Sequence, residues 1–302
     1  MDAAFVREII GNDLAVPEGQ SAAGLIAPLF FGLGSPDSDL RENSLTVLCE
    51  WIEQGRYEPS VLKQIGAQAA DNLMRGIGEA GTDSVFLRAF SVLVLAMVIA
   101  VDEARRGAEI DGAPFLTGNQ VLDWLDRGLT YLRAERDRRG YVPGKGWAHA
   151  AAHAADLLRV LARHPRVDQD RLERIVQGIG EAVSAATDCA FLHQEDERLA
   201  AAVVAVLWRD ELDMAFLVSW LERLAGREDE PSSVSVPEEN CRNNARMNVR
   251  SFLRSLYFQL LIGGNTRGTS VGAETPRLSE PLREAIVGAL REMDGSRFYR
   301  EA

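Results

Sequence analysis

The sequence predicts an all-α protein built from helical hairpins, and three observations support this class. Apolar residues recur at spacings of three and four along most of the 302 residues, whereas alternating β-branched runs bounded by turns are scarce. The connections between helical segments are short, which makes neighbouring helices antiparallel. The first helices of successive pairs begin roughly 45 to 60 residues apart, close to the period of HEAT-like arrays. We therefore expect a HEAT-like α-solenoid, with an α/α toroid or an irregular bundle as the alternative.

The expected helices begin at capping residues. Asp37, Thr82 or Asp83, Thr117 and Asp168 each precede an apolar-periodic segment, where a side-chain oxygen can accept a hydrogen bond from a free backbone N–H. In chain order the predicted helices cover residues 37–54, 58–77, 83–106, 117–135, 145–163, 168–186, 195–209, 211–226, 244–262 and 279–293.

The organisation predicted from this pattern is a single helical repeat domain over residues 1–302. Residues 1–36 form an N-terminal cap region. Two segments interrupt the helical pattern, a long polar loop over 226–243 and a Gly/Thr-rich loop over 263–278. Long loops in compact helical proteins are functional lids or disordered insertions, and the sequence does not choose between these.

Composition excludes several classes of partner. The net charge of −12 and a pI near 4.9 argue against nucleic acid and against an anionic membrane, because no dense Lys/Arg cluster is present. Cys49, Cys189 and Cys241 have neither disulfide-framework nor zinc-finger spacing. The N-terminus does not resemble a signal peptide, so the expected location is cytoplasmic. The longest apolar stretch, 90–101, is too short to span a bilayer and is typical of a buried helix.

The first candidate site contains two of the four histidines in the chain. In a continuous helix His149, His153 and Asp156 would share one stripe, with Trp147 on the opposite side. Histidines four residues apart on a helix can both bind one metal ion. Asp156 is better placed to orient His153 than to bind the same ion. The alternative is that both imidazoles form ordinary hydrogen bonds in a pocket.

The second candidate site is the acidic helix start around Glu195 and Asp196. Acidic residues are expected in any first helical turn because of the helix dipole. If helical hairpins stack, equivalent helix starts lie side by side, and His193 with these carboxylates would then neighbour His149. A zinc or other divalent metal site formed by His149, His153 and Glu195 follows as a hypothesis.

The third candidate site lies on the helix predicted over 244–262. Asn244, Asn248 and Ser251 form a polar stripe, and Arg254 continues near it. Amides beside a guanidinium can bind a carboxylate, a phosphate or a peptide backbone. The alternative is a solvated face with a salt bridge.

The chain resembles a bacterial family of all-helical proteins, the domain-of-unknown-function family 2785, over approximately residues 40 to 262. The residues that carry the resemblance are Thr82-Asp83-Ser84-Val85-Phe86 with Arg88 and Phe90-Ser91, Arg139-Gly140-Tyr141-Val142, Lys145-Gly146-Trp147-Ala148-His149 with His153 and Asp156, Glu195-Asp196-Glu197-Arg198, and Phe252-Leu253-Arg254-Ser255-Leu256-Tyr257. The resemblance implies no activity, but most of these segments stand at the starts of first helices. In a parallel stack Arg88, His149, Asp196 and Asn248 would converge on one groove.

Three functions fit these observations. The leading hypothesis is a binding scaffold whose groove accepts a peptide, a protein or a small polar ligand. The predicted groove residues are Arg88, Trp147, His149, His153, Asp156, Asp196, Asn248 and Arg254. The alternative is a metal-dependent hydrolase that uses His149 and His153, with Glu195 or Asp196 completing the site. In the third, the histidines only lock the repeats together.

Overall fold

The computed structural model describes residues 1–226, 235–263 and 275–294, and in these ranges the chain forms twelve α-helices and one two-stranded hairpin. The elements are α1 (Ala3–Gly11), α2 (Ile26–Leu33), α3 (Ser38–Glu53), α4 (Pro59–Asn72), α5 (Ser84–Arg106), α6 (Gly118–Ala134), β1 (Tyr141–Val142), β2 (Gly146–Trp147), α7 (Ala150–Arg163), α8 (Gln169–Ser184), α9 (Glu195–Leu207), α10 (Met214–Ala225), α11 (Val236–Ile262) and α12 (Ser279–Asp294). The predicted all-α class is confirmed. Contacts divide the chain into two compact units, Met1–Arg166 and Val167–Ala302.

The first unit is organised around α5, which packs against α2, α3, α4 and α7. Its 23 residues are long and apolar enough to cross a membrane by length and composition alone. However, 72% of its most apolar window is buried inside the protein. This burial agrees with the prediction of a buried helix for residues 90–101. Apolar contacts made on all sides by this helix provide the core of the unit.

Most predicted helix starts are confirmed at their caps. The side chains of Asp37 and Asp168 accept hydrogen bonds from the first turns of α3 and α8, and Thr117 forms a reciprocal capping box with Gln120 before α6. Asp83 occupies the N-cap position of α5 but makes no side-chain cap hydrogen bond. Its carboxylate instead binds Lys145.

The helix predicted over 145–163 begins five residues later than expected. The prediction that His149, His153 and Asp156 form a helical stripe, with Trp147 on the opposite side, was therefore wrong for Trp147 and His149. Trp147 lies on β2, and His149 is the N-cap of α7. Gly144 and Gly146 have positive φ angles of 76° and 79°, which suit a tight turn and are unfavourable in a helix.

The second unit contains α8 to α12, and α9 packs along α11. The helix α11 begins at Val236, so the predicted loop over 226–243 is wrong for its last eight residues. The start signal is a capping box between Ser235 and Glu238, with a proline in the first turn. Residues 227–234 of that predicted loop, and 264–274 of the loop predicted over 263–278, lie outside the described residues.

Each unit packs a tryptophan against a glycine two helices earlier in the chain. A Cβ on Gly66 of α4 would lie 2.3 Å from the ring of Trp124 in α6, and one on Gly180 of α8 would lie 2.5 Å from Nε1 of Trp220 in α10. Any larger residue at either glycine would displace the indole, so close helix packing depends on both glycines.

Candidate functional site

The hairpin β1–β2 places two aromatic side chains at the surface of the first unit. Tyr141 pairs with Trp147 across the antiparallel strands, and their ring centroids lie 5.0 Å apart in an edge-to-face arrangement. Tyr141 is 51% exposed and Trp147 is 38% exposed. Such large exposed rings are typical anchors of binding surfaces when their positions are fixed.

Arg41 of α3 binds the backbone of the hairpin. Its Nη2 donates to the carbonyl oxygens of Lys145 at 2.6 Å and Trp147 at 3.2 Å, and its Nη1 donates to the carbonyl of Ser35 at 2.7 Å. The side chain has no exposed surface. A Cβ on Gly146 would lie 2.8 Å from Ser38 Cβ and 3.0 Å from Arg41 Nη2, so a larger residue there would crowd both side chains.

The environment of Arg41 combines aromatic rings with carboxylates, of which Glu42 Oε1 lies 4.0 Å from Nη2. Its guanidinium carbon lies 4.0 Å from the ring centre of Phe86 and 4.9 Å from that of Phe90. Burial lowers the pKa of Arg41, opposed by the charges of nearby carboxylates, and the side chain stays protonated because arginine titrates so high. At the surface, Lys145 Nζ binds both oxygens of Asp83, at 2.6 and 2.8 Å.

His149 connects the hairpin to α7. Its backbone adopts the left-handed region with φ 52° and ψ 32°, which costs a non-glycine residue about 1 kcal/mol. The imidazole lies tilted over the indole of Trp147, with ring centroids 4.3 Å apart and 33° between the planes. His149 is only 9% exposed, so it forms the inner support of the exposed indole.

His153, one turn along α7, binds a backbone carbonyl of α5. Its Nδ1 lies 3.0 Å from the carbonyl oxygen of Ala89 in α5. A carbonyl can only accept, so Nδ1 donates, and in the neutral ring Nε2 then carries the lone pair. The ring contacts His149 at 5.8 Å and Phe90 at 5.4 Å between centroids, both edge-to-face.

These side chains form one continuous series from surface to interior. The aromatic row, as we name it, consists of Tyr141, Trp147, His149, His153 and Phe90, and its inner end meets Arg41. The outer two rings are accessible and the inner three are buried. The row therefore offers a fixed apolar surface backed by imidazoles and a buried cation.

Two further predicted residues of the first unit make structural contacts. Arg88 is completely buried and forms a two-pronged ion pair with Glu135, at 2.7 and 3.1 Å. It also donates to the carbonyls of Arg75 and Glu79. Asp156 lies 3.8 Å from Arg159 on the same helix. Arg88 thus joins the ends of several helices, with its donors turned to protein atoms.

The predicted residues of the second unit lie around the start of α9. Glu195 is buried and accepts from the backbone N–H of His193 at 2.7 Å. Asp196 accepts from Ser255 Oγ at 3.1 Å, and α11 thereby holds the first turn of α9.

The remaining two predicted residues lie on α11. Asn248 is buried, and its Oδ1 accepts from the N–H of Phe191 at 2.7 Å. Arg254 is exposed. The predicted convergence of these residues with Arg88 and His149 stays a prediction, since they belong to different units.

The starts of α7 and α9 share an unusual backbone feature. His149 and Gln194 are both N-caps in the left-handed region, with φ 52° and 67°. The residues two positions earlier, Trp147 and Leu192, are both exposed and apolar. Strained non-glycine residues persist where surrounding contacts hold them, and they concentrate at functional sites. The two helix starts thus share a left-handed N-cap and an exposed apolar residue two positions before it.

The described residues do not form a complete metal site. No group of three or more His, Cys, Asp or Glu side chains is arranged to hold an ion in the part of the chain that the structure describes. The two imidazoles of His149 and His153 are close enough to share one ion, but Glu195 belongs to the second unit. A structural zinc ion takes four protein ligands and a catalytic one three, so these two residues alone do not fit either class.

Sequence reasoning missed Arg41, Tyr141 and the Asp83–Lys145 pair. One signal was present for Arg41, because it occupies the apolar stripe of α3 that also contains Val47, Leu48 and Trp51, all buried. An arginine at a core position of a helix requires buried acceptors. Two of its three carbonyl acceptors are more than 100 residues away, which no local pattern indicates.

Comparison with known proteins gave one match. The family model described as "Protein of unknown function (DUF2785)" matches residues 73–258. No curated protein and no solved structure matches the chain. The matched range contains the hairpin and the starts of α7 and α9 but not Arg41.

Proposed function

Because this chain belongs to the DUF2785 family, whose description gives no activity, we propose its function from the geometry: it is a binding scaffold whose aromatic row receives a peptide, a partner protein or a small polar ligand. The observation that carries the proposal is the exposed indole of Trp147, stacked on His149 in a hairpin that the buried Arg41 holds in place. A fixed aromatic ring loses little conformational entropy when a ligand binds, so its contacts contribute fully to affinity.

The chemistry around Trp147 favours a ligand with both apolar and polar parts. Apolar groups can pack on Trp147 and Tyr141, while the ion pair between Lys145 of the hairpin and Asp83 at the start of α5 supplies charges of both signs. Peptide segments have this combination of groups. The net charge of −12 disfavours nucleic acid and anionic membranes as partners, and we place the protein in the cytoplasm.

A stack of helical hairpins in the HEAT manner would extend the binding surface beyond the row. In that arrangement the equivalent start of α9, with Asp196, Asn248 and Arg254, would supply a second contact region. The related backbone of His149 and Gln194 supports equivalent roles for the two helix starts. The proposal for the aromatic row depends only on the first unit.

The metal-dependent hydrolase that uses His149 and His153 is the second candidate. It is favoured by the bond from His153 Nδ1 to the Ala89 carbonyl, because histidines that bind metals commonly orient themselves in this way. A third ligand from the described residues is lacking. The binding role therefore has the stronger support.

Indole NMR spectra test the binding role directly. The five tryptophans give five side-chain N–H signals, which single Trp→Phe variants assign. We expect at least one component of a dipeptide library or a mixture of polar metabolites to shift the Trp147 signal saturably while the Trp51 signal stays unchanged. Trp147→Ala should abolish binding of that component, and Phe31→Ala, which removes another exposed ring of the same unit, should not. Equal binding by wild type and Trp147→Ala would refute the proposal.

A further inference from the structure

The helix α3 presents only negative charge to solvent. Counted from its N-cap, its carboxylates belong to Asp37, Asp39, Glu42, Glu50 and Glu53. The one cation of the helix is Arg41, which has no exposed surface and directs its donors to carbonyl oxygens. A guanidinium that is buried and hydrogen-bonded in this way does not bind a partner in solution. The outer surface of α3 is therefore acidic.

The first turns of α3 lie against the strand that carries Trp147. A Cβ on Gly146, the residue before Trp147 in β2, would lie 3.6 Å from the carboxylate oxygen Oε1 of Glu42. The Glu42 side chain is 49% exposed, and its distance of 4.0 Å from Arg41 is longer than a hydrogen bond. Exposed charges attract one another over about 10 Å at an ionic strength of 0.1 M. A cation bound at the hairpin is therefore attracted by Glu42.

Two cations near the exposed rings are matched by carboxylates. Lys145 Nζ binds both oxygens of Asp83. Arg139, just before β1, binds both oxygens of Asp137. Each of these pairs is neutral, so neither offsets the carboxylates at the start of α3. The side of the hairpin that faces α3 therefore has an excess of negative charge beside its exposed aromatic rings.

We propose that the aromatic row binds the guanidinium group of an arginine side chain on a partner polypeptide. This assignment rests on the binding function proposed for the row and names the chemistry of its ligand. A guanidinium is planar, stacks on aromatic faces and is more weakly hydrated than an ammonium group. Tyr141 and Trp147 offer exposed ring surface, and the start of α3 supplies negative charge beside it. The net charge of −12 also favours the encounter with a basic segment.

Two peptides of nearly equal shape test the charge. One is the acetylated, amidated tripeptide Gly-Arg-Gly, and the other contains citrulline, whose neutral urea replaces the guanidinium. Each is titrated into the full-length protein while the Trp147 indole N–H signal is followed. At low ionic strength we expect the arginine peptide to shift this signal saturably and to bind about tenfold more tightly than the citrulline peptide. A rise in salt to about 0.5 M should reduce this difference, because salt screens exposed charges.

Glu42 and Glu53 provide a matched pair of exposed carboxylates on one helix. Glu42→Lys reverses the charge beside the hairpin, so it should weaken binding of the arginine peptide about threefold at low ionic strength. Glu53→Lys makes the same change about three turns further along α3 and should leave this affinity nearly unchanged. The affinity of the citrulline peptide, measured in the same variants, reports any damage to the hairpin itself and should stay constant.

Three results would overturn this assignment. Equal affinities for the arginine and citrulline peptides would show that the row does not recognise a cation. Equal effects of Glu42→Lys and Glu53→Lys would show that the charge beside the hairpin has no special role. Methylguanidinium that binds as tightly as the arginine peptide would make the ligand a small free guanidine rather than a polypeptide. In each case a saturable shift of the Trp147 signal by any probe would still support the binding function, whose own refutation is equal binding by wild type and Trp147→Ala.

Discussion

The Nδ1 atom of His153 lies 3.0 Å from the carbonyl oxygen of Ala89, 64 positions earlier in the chain. This bond links α7 to α5, the central helix of the first unit. It also fixes which imidazole nitrogen carries the proton, and therefore which nitrogen can accept a hydrogen bond. The inner end of the aromatic row depends on this orientation.

The orientation of His153 can be measured directly. Two-bond ¹H–¹⁵N spectra should show the neutral tautomer with the proton on Nδ1. The amide nitrogen of His153→Asn can replace Nδ1, whereas His153→Leu has no donor. We expect the Asn variant to be more stable than the Leu variant by about 1 kcal/mol, the net contribution of a buried hydrogen bond. Equal stability of the two variants would show that the bond to Ala89 contributes nothing.

Replacement of Arg41 should loosen the hairpin and destabilise the first unit. Arg41→Lys keeps the charge but loses the planar guanidinium that reaches three carbonyls, so we expect a loss of about 2 to 4 kcal/mol in denaturant unfolding. Hydrogen exchange of the Trp147 backbone should become faster. Arg56→Lys, at an exposed position nearby in the chain, is the control and should change the stability by less than about 0.5 kcal/mol. A similar effect of the two substitutions would refute the role of Arg41.

Asp102 should make the first unit sensitive to acid. Burial alone raises its pKa, but hydrogen bonds from His164, from the N–H groups of Leu116 and Phe115, and from Arg106 together lower the pKa to about 2 from the ordinary 3.8. A carboxyl group with a lowered pKa stabilises the folded state above its unfolded pKa, and this contribution is lost as the pH falls from about 4 towards 2.

The shift corresponds to about 2 kcal/mol of stability at neutral pH. Urea unfolding at several pH values should show this loss for the wild type. Asp102→Asn should be less stable at pH 7 and should show a smaller loss between pH 4 and pH 2. An unchanged pH profile in Asp102→Asn would exclude Asp102 as the group responsible.

Metal analysis separates the two candidate functions. Because His149 and His153 have no third ligand among the described residues, we expect protein purified without a His tag to contain substoichiometric zinc, manganese and iron. Added zinc should leave Tm unchanged. Stoichiometric metal that disappears in a His149→Ala/His153→Ala variant would favour the hydrolase instead.

The sequence predicted well those features that local chemistry determines. Helical periodicity and the side-chain caps Asp37, Thr117 and Asp168 located most helices to within a few residues. These signals act within one turn of the chain, so they can be read without knowledge of the fold. The capping box at Ser235 was also legible, but the polar composition around it favoured a loop in the prediction.

The aromatic row could be predicted only in part. Trp147, His149 and His153 were recognised as candidates, but their arrangement was wrong because an alanine-rich stretch after Gly146 looks helical from its first residue. The hairpin is held by two elements that lie far from it in the chain. Arg41 of α3 donates to its backbone carbonyls, and Asp83 at the start of α5 binds the side chain of Lys145. Tertiary contacts of this kind override local helix propensity, and no single-sequence pattern reveals them.

The hydrogen bonds from Arg41 to the hairpin also bear on how this protein should be divided for study. The family match begins at residue 73, whereas Arg41 lies 32 residues before that point. A fragment cut at residues 73–258 would keep Trp147 and His149 but lose the cation that orders their backbone. Recombinant fragments meant to retain the aromatic row should therefore begin upstream of α3, since the matched range leaves out the side chain that binds the hairpin carbonyls.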